Sequence, residues 1–186
     1  MGLALAQACE RKGFFTRVLL GPVESTVRED FSNVAEAVDY ETSQDLQSLL
    51  GNHWPSHDVL FMAAAVSDLR PVEVAKSKLP RAPINLRLEP VPDLLADLAR
   101  QSPSHGIRVG FALEAESELL TGARKKLSAK QCHAIAANPL STIDSNMVSG
   151  VWVTDHSEEA LGQMSKNAYA EELLDRSRQL WSARTG

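Results

Sequence analysis

Two clusters of charged side chains could handle an anionic small molecule. The first follows a short apolar run, Val59-Leu60-Phe61-Met62, which turns small at Ala63-Ala64-Ala65 and leads through Val66 and Ser67 to Asp68, Arg70 and Pro71. Lys76, Lys78 and Arg81 come next, and a second group collects at Arg124, Lys125, Lys126 and Lys130. An apolar run with no polar interruption reads as a parallel strand covered on both faces. Open α/β sheets bind ligands beyond the carboxyl ends of such strands, and alanines there let a ligand approach the backbone closely. A buried strand running into a solvated loop would give the same pattern, and cations at 124–130 would also complement a helix dipole.

Composition narrows the partners. The 186 residues are 44% hydrophobic and 23% charged, as expected of one globular domain spanning 1–186 with a sizeable core. A net charge of −5 argues against nucleic acid, which calls for a basic face, and favours a small anion at the two local basic clusters. Two cysteines, Cys9 and Cys132, make no disulfide framework and point to a reducing compartment, with the cytoplasm as the expected location. Every apolar stretch stops well short of the roughly 20 residues of a membrane span, and no signal peptide pattern is present.

The elements that must position these residues alternate. Leu3 to Lys12 has helical spacing with Gly13 as a stop, and Phe15 to Leu20 reads as a strand. Residues 23–33 read as a polar loop, Ala35 to Tyr40 as a weak strand, and Thr42-Ser43-Gln44-Asp45 as the cap of a helix reaching about Leu50. His53 and His57 are spaced like metal ligands, but Pro55 between them opposes a regular helical face, and surface histidines are the expectation. After the central strand come a proline-bearing loop over 69–83 and a half-buried strand from Asn85 to Leu88. A helix from Leu94 to Arg100, a strand from Arg108 to Leu113 and a helix to about Ser128 follow. Cys132 to Ala137 and Val148 to Thr154 read as strands, the latter as the last one, and Ser165 to about Ser182 as a long amphipathic helix. Such alternation predicts an α/β fold, doubly wound around a mainly parallel sheet, although a helix stands first where a strand would be expected.

Several chemistries find no support. There is no G-x-x-x-x-G-K-[ST] phosphate loop, intact G-x-G-x-x-G, G-x-S-x-G elbow or zinc-spaced Cys/His set. Glu114 and Glu116 alternate at a strand end, so only one would face a given site, which weakens a glycosidase-like pair. The residues alone lead to a nucleotide- or phosphate-binding α/β domain.

The ordered motifs go further, because together they resemble the phosphopantothenoylcysteine synthetase family, the synthetase half of many bacterial bifunctional coenzyme A biosynthesis proteins. Met62 to Pro71 is similar to the family's alanine run followed by Asp-[Phe/Tyr/Trp]-Arg-Pro, with Leu69 at the aromatic position. Lys78 stands where the family begins Lys-Ile-Lys-Lys, here followed by Leu79-Pro80-Arg81. Val91-Pro92-Asp93-Leu94-Leu95 resembles Asn-Pro-Asp-Ile-[Leu/Val], and Val109-Gly110-Phe111-Ala112-Leu113-Glu114 resembles Val-Gly-Phe-Ala-Ala-Glu. Ala123-Arg124, Lys126-Leu127 and Lys130 through Ala137-Asn138 follow another family run, with His133 replacing its aspartate, and Ser165-Lys166 also fits. The family opens with a strand and a loop ending Asn-x-Ser-Ser-Gly-x-Met-Gly, of which only Met1-Gly2 is present. The expectation is therefore that the start is misplaced and that these 186 residues turn over poorly, if at all.

The resemblance implies a Rossmann-like, three-layer αβα fold and a ligase that joins 4′-phosphopantothenate to cysteine. CTP, with Mg²⁺, would activate the carboxylate as an acyl-cytidylate, and cations would offset the repulsion between carboxylate and polyphosphate. Lys78 is the implied catalytic cation, and Asn138 is implied to order the site. Ala64, Ala65, Asp68, Phe111, Lys126 and Lys130 would contact nucleotide together with Lys78, and Arg70 would contact the other substrate. A homodimer, and a phosphopantothenoylcysteine decarboxylase domain or subunit as partner, are also implied. The alternatives are an N-terminally truncated or degenerate non-catalytic paralogue that binds a nucleotide or a protein partner, and a Rossmann-type cofactor-binding subunit. The latter lacks an acid-terminated second strand at dinucleotide spacing.

Overall fold

A computed structural model describes residues 1–75, 77–102, 106–143 and 145–186. The helices are α1 (Gly2–Arg11), α2 (Ser25–Ser32), α3 (Ser43–His53), α4 (Leu94–Gln101), α5 (Leu119–Ala129) and α6 (Lys166–Thr185). The strands are β1 (Arg17–Leu20), β2 (Glu36–Asp39), β3 (Val59–Met62), β4 (Leu69–Pro71) and β5 (Leu88–Pro90), then β6 (Ile107–Glu114), β7 (Ala134–Pro139), β8 (Met147–Val153) and β9 (Glu158–Ser165). The main sheet runs β3-β6-β7-β8-β9, parallel across its first three strands and antiparallel across its last three. β1 and β2 form a separate parallel pair, and β4 and β5 an antiparallel one.

The period of two along the strands separates the helix layers. Ile107 and Val109 on β6, with Ala134 and Ala136 on β7, face α1 and α6. Ala112, Ile135 and Ala137 face the other way, onto α4 and α5. A second cluster on that side joins Leu46 and Leu50 of α3 to Leu94 and Leu98 of α4, over Leu19 of β1 and Leu60 and Met62 of β3. The main sheet and the β1–β2 pair therefore share helix cover, α1 on one side and α3 on the other, with no ladder between β1 and β3 among the described residues. All four residues of β3 are only half-buried, whereas the first four of β6 are buried, in keeping with an edge position in the main sheet.

Local signals set the ends. Thr42 and Asp45 form the expected reciprocal capping box of α3, with Asp45 N–H donating to Thr42 Oγ1 at 3.1 Å. Ser165 caps α6 through Ala168 N–H, and Gly13 takes φ +72°, a conformation that favours glycine, just past α1.

The structure corrects four readings. The stretch 23–33 holds helix α2, whose polar sequence buries only Phe31. The alanines after Met62 leave the strand, so β3 is short and Ala63, Ala64 and Ala65 are exposed. The strand expected at 85–88 is instead Leu88–Pro90 and exposed at both ends, because it pairs only with β4. Finally, β8 is followed by β9, an edge strand in which Leu161 alone is buried, so no alternation marks it in the sequence.

His133, just before β7, accepts the backbone N–H of Arg108 at Nδ1 (3.0 Å). Burial, reinforced by the Arg108 and Arg184 charges, lowers its pKa from 6.5 to about 4. The unfolded chain thus takes up this proton more readily than the folded one. The contribution of neutral His133 is complete above about pH 6.5 and is lost as pH falls through about 4. Thermal unfolding followed across this window should show the wild type losing more stability than His133→Gln. A difference between the two that stays constant with pH would refute this assignment.

Candidate functional site

One pocket, of about 160 Å³, sits where β3 gives way to its alanines and α4 begins. Met62, Leu94 and Leu95 form its apolar floor, and Ala64, Ser67, Asp68, Asp93 and Lys130 bring the polar and close-approach atoms. Asp93 fixes its mouth. One carboxylate oxygen accepts the N–H groups of Leu95 and Ala96, both at 3.2 Å, as the N-cap of α4. The other accepts Lys130 Nζ at 2.7 Å. The pocket therefore combines two carboxylates, a hydroxyl and an ammonium over an apolar base, a few polar groups that can orient a hydrogen-bonding ligand.

The structure brings Ala64, Asp68 and Lys130 together and distributes the other candidates. Phe111 is partly buried against the α1–α6 cluster, on the opposite face of the sheet from Leu95 and Met62, so it gives this pocket no apolar wall. Ala65 is exposed beside the pocket without lining it. Lys126 is paired with Glu114 at 2.8 Å, away from the lining. Arg70 lies on β4 directly across from Glu89, to which its Nε donates at 2.8 Å. Lys78 is exposed on the segment joining β4 to β5, and Lys76 of the same basic cluster lies outside the described residues.

Asn138 is the clearest case of a residue that orders its surroundings. It is 7% exposed at the end of β7. Its Nδ2 donates to Ser149 O at 3.1 Å and to Tyr169 Oη at 2.9 Å. Burial raises the Tyr169 phenol to about 12, so it stays neutral and can accept this bond at any ordinary pH. The network leaves no room at Gly150, where a Cβ would lie 2.5 Å from Ala137 O, 2.6 Å from Tyr169 Oη and 2.7 Å from Asn138 Nδ2.

Sequence reasoning assigned Asp93 only as part of a motif and set Glu114 aside. A helix-capping signal before Leu94-Leu95 could have singled out Asp93. Its partner lies 37 residues away and could not have been found that way. Among the described residues no three His, Cys, Asp or Glu side chains gather as a metal group, and no helix is long and apolar enough to cross a membrane.

Known proteins resemble this chain in sequence and in fold. The profile of the DNA/pantothenate metabolism flavoprotein C-terminal domain matches residues 1–180. The coenzyme A biosynthesis bifunctional protein CoaBC of Mycobacterium tuberculosis is 32% identical over 190 residues, covering 94% of this chain and 44% of that protein. The chain thus spans under half the length of such relatives. The crystal structure of the C-terminal domain of a CoaBC protein superimposes with a TM-score of 0.74 at 24% identity, covering 96% of this chain and 81% of that one. A Cab2 variant in complex with phosphopantothenate-cysteine gives 0.71 at 18% identity, covering 99% and 79%. At these identities the two structures establish the fold alone: Rossmann-like α/β, with a mainly parallel sheet between helix layers.

Removing the phenol tests the buried network. Tyr169→Phe leaves the Asn138 amide short of an acceptor and should cost about 1–3 kcal/mol, read as a lower denaturant midpoint at unchanged m-value. Gly150→Ala should cost a similar amount through overpacking.

Proposed function

Since the chain belongs to the DNA/pantothenate metabolism flavoprotein C-terminal domain family, we propose that it is a phosphopantothenate–cysteine ligase of coenzyme A biosynthesis. The observation that carries this reading is the family match over residues 1–180 together with a pocket lined by Ala64, Asp68, Asp93 and Lys130, inside the motifs that bear the resemblance. The reaction proposed uses CTP. A carboxylate oxygen of 4′-phosphopantothenate attacks the α-phosphorus, pyrophosphate leaves, and the acyl-cytidylate is then opened by the cysteine amine, releasing CMP.

In this scheme Asp68 accepts hydrogen bonds from the nucleotide, with the open backbone at Ala64 and Ala65 alongside. Lys130 and Lys126 serve the triphosphate, and Lys78 meets the charge that develops during activation. Mg²⁺ is typically held by one or two carboxylates plus phosphate oxygens, and Asp68 and Asp93 line the same pocket. When bound, the ion would offset charge on the phosphates. Asn138 orders the end of β7 rather than touching substrate, and Arg70 is proposed to reach the second substrate, which requires it to leave Glu89. Phe111 backs the sheet from the far side.

The homodimer is also proposed. The β4–β5 arm exposes Val74, Leu79, Ile84, Leu86 and Leu88, with Val74 84% exposed, and such a concentration of apolar side chains favours a protein interface. The arm carries Lys78, so the place of this lysine depends on how two copies pair. Relatives of more than twice this length make a decarboxylase domain or subunit a reasonable partner, and a reducing cytoplasm the proposed location.

Calorimetry with CTP and an assay of pyrophosphate release test the function. Asp68→Ala should weaken CTP binding by about 1–3 kcal/mol, and equal affinity would remove Asp68 from the nucleotide site. In a protein with a complete site, one that also carries the family's opening strand and Asn-x-Ser-Ser-Gly loop, Lys78→Ala should abolish CTP-dependent pyrophosphate release while leaving the fold intact. Binding without turnover would favour the non-catalytic alternative. In light scattering, Val74→Glu with Leu86→Glu should convert a dimer to a monomer, and a wild-type monomer at micromolar concentration would remove the pairing.

A further inference from the structure

Both lysines assigned above to the triphosphate are held by carboxylates of the chain itself. Lys126 Nζ lies 2.8 Å from Glu114 Oε1, and Lys130 Nζ lies 2.7 Å from Asp93 Oδ2. The lysines are four apart at the end of α5, hence neighbours on one face, while their partners come from the end of β6 and the cap of α4. Asp93 is also bound to the α4 backbone, so its effect on Lys130 cannot be separated from its effect on the helix. Glu114 has no such second duty among the described hydrogen bonds and ion pairs.

Its seat is shaped by a glycine. A Cβ at Gly122 of α5 would come within 3.0 Å of Glu114 Cγ and 3.2 Å of both Cδ and Oε1. The carboxyl group lies against bare helix backbone one turn before Lys126. The pair remains reachable, with Lys126 35% and Glu114 30% exposed. It stands beside the carboxyl end of β6, whose register places Glu114 opposite Pro139, next to Asn138.

We propose that Glu114 is a positioning residue that keeps the Lys126 ammonium in place as a stand-in for a phosphate oxygen and gives it up to an arriving polyphosphate. This rests on the nucleotide-binding reading and deepens it. A lysine on a four-carbon stem loses rotamer freedom when it meets a ligand, and a carboxylate partner holds it ordered beforehand. The same carboxylate repels a polyanion and competes for the cation, so affinity is sacrificed. No bond is made or broken in the exchange.

The test uses the full chain, inorganic tripolyphosphate as probe, and EDTA to remove divalent ions. Glu114→Gln should bind tripolyphosphate more tightly than wild type, on the order of tenfold at low ionic strength. The gain should vanish when Lys126→Met is added. Unchanged or weaker binding by Glu114→Gln, or a gain that persists without Lys126, overturns the proposal. A fold defect would not tighten binding, so the expected result is not open to that explanation. CTP titrated in parallel tests the underlying reading separately. A chain in which Glu114→Gln tightens tripolyphosphate but neither protein binds CTP would retain the stand-in role and lose the nucleotide assignment.

Discussion

Close approach of helices to the middle of the sheet requires small residues there, and β6 and β7 supply them on both faces. Ala134, Ala136 and Ala137 are wholly buried, and Gly110 has so little space that a Cβ would stand 2.8 Å from Ile135 Cδ1. Over these small residues the space is filled by large side chains, Trp152, Tyr169 and Leu173 on one face and Leu127 on the other. Protein interiors tolerate few voids, so such a centre has little freedom to shift.

The placement of charged groups follows from that rigidity. With Leu119, Ala123 and Leu127 packed in the core, α5 brings Lys126 and Lys130 to carboxylates carried by β6 and α4, although each of these ion pairs is partly exposed and contributes little stability by itself. Their value is positional. The hydrogen bonds of Asn138 to Ser149 and Tyr169 play the complementary part inside, satisfying a buried amide where β7, β8 and α6 converge. A polar group in that position specifies one arrangement of three elements, since any displacement would strand it without partners.

The β4–β5 arm follows a different logic. It departs from the core where β3 ends, pairs only with itself, and turns apolar side chains outward, so burial inside this chain cannot account for its sequence. β1 and β2 also stand apart from the main ladder, but α1 and α3 clamp them to it through shared apolar clusters. Among the described residues no ladder connects the two sheets, and shared helix cover holds them together.

How much of this was legible beforehand depended on the range of each interaction. The alternation of elements, the capping box at Thr42 and Asp45, the start of the last helix at Ser165 and the strand read at 108–113, observed as Ile107–Glu114, are local, set by periodicity and by bonds between residues three apart. α2 and β9 escaped because each buries a single residue, which leaves no pattern to read. Motif order marked Asp68, Lys126 and Lys130, but which of them share a pocket was settled by tertiary packing. The period of two says that Phe111 and Ala112 face opposite ways, and only the helices above and below decide which face meets the pocket. Asp93 with Lys130, Asn138 with Tyr169 and Glu114 with Lys126 join residues on different elements. Local sequence determined each element, but their contacts depend on how side-chain volumes fill the space between sheet and helices, a property of the whole chain at once.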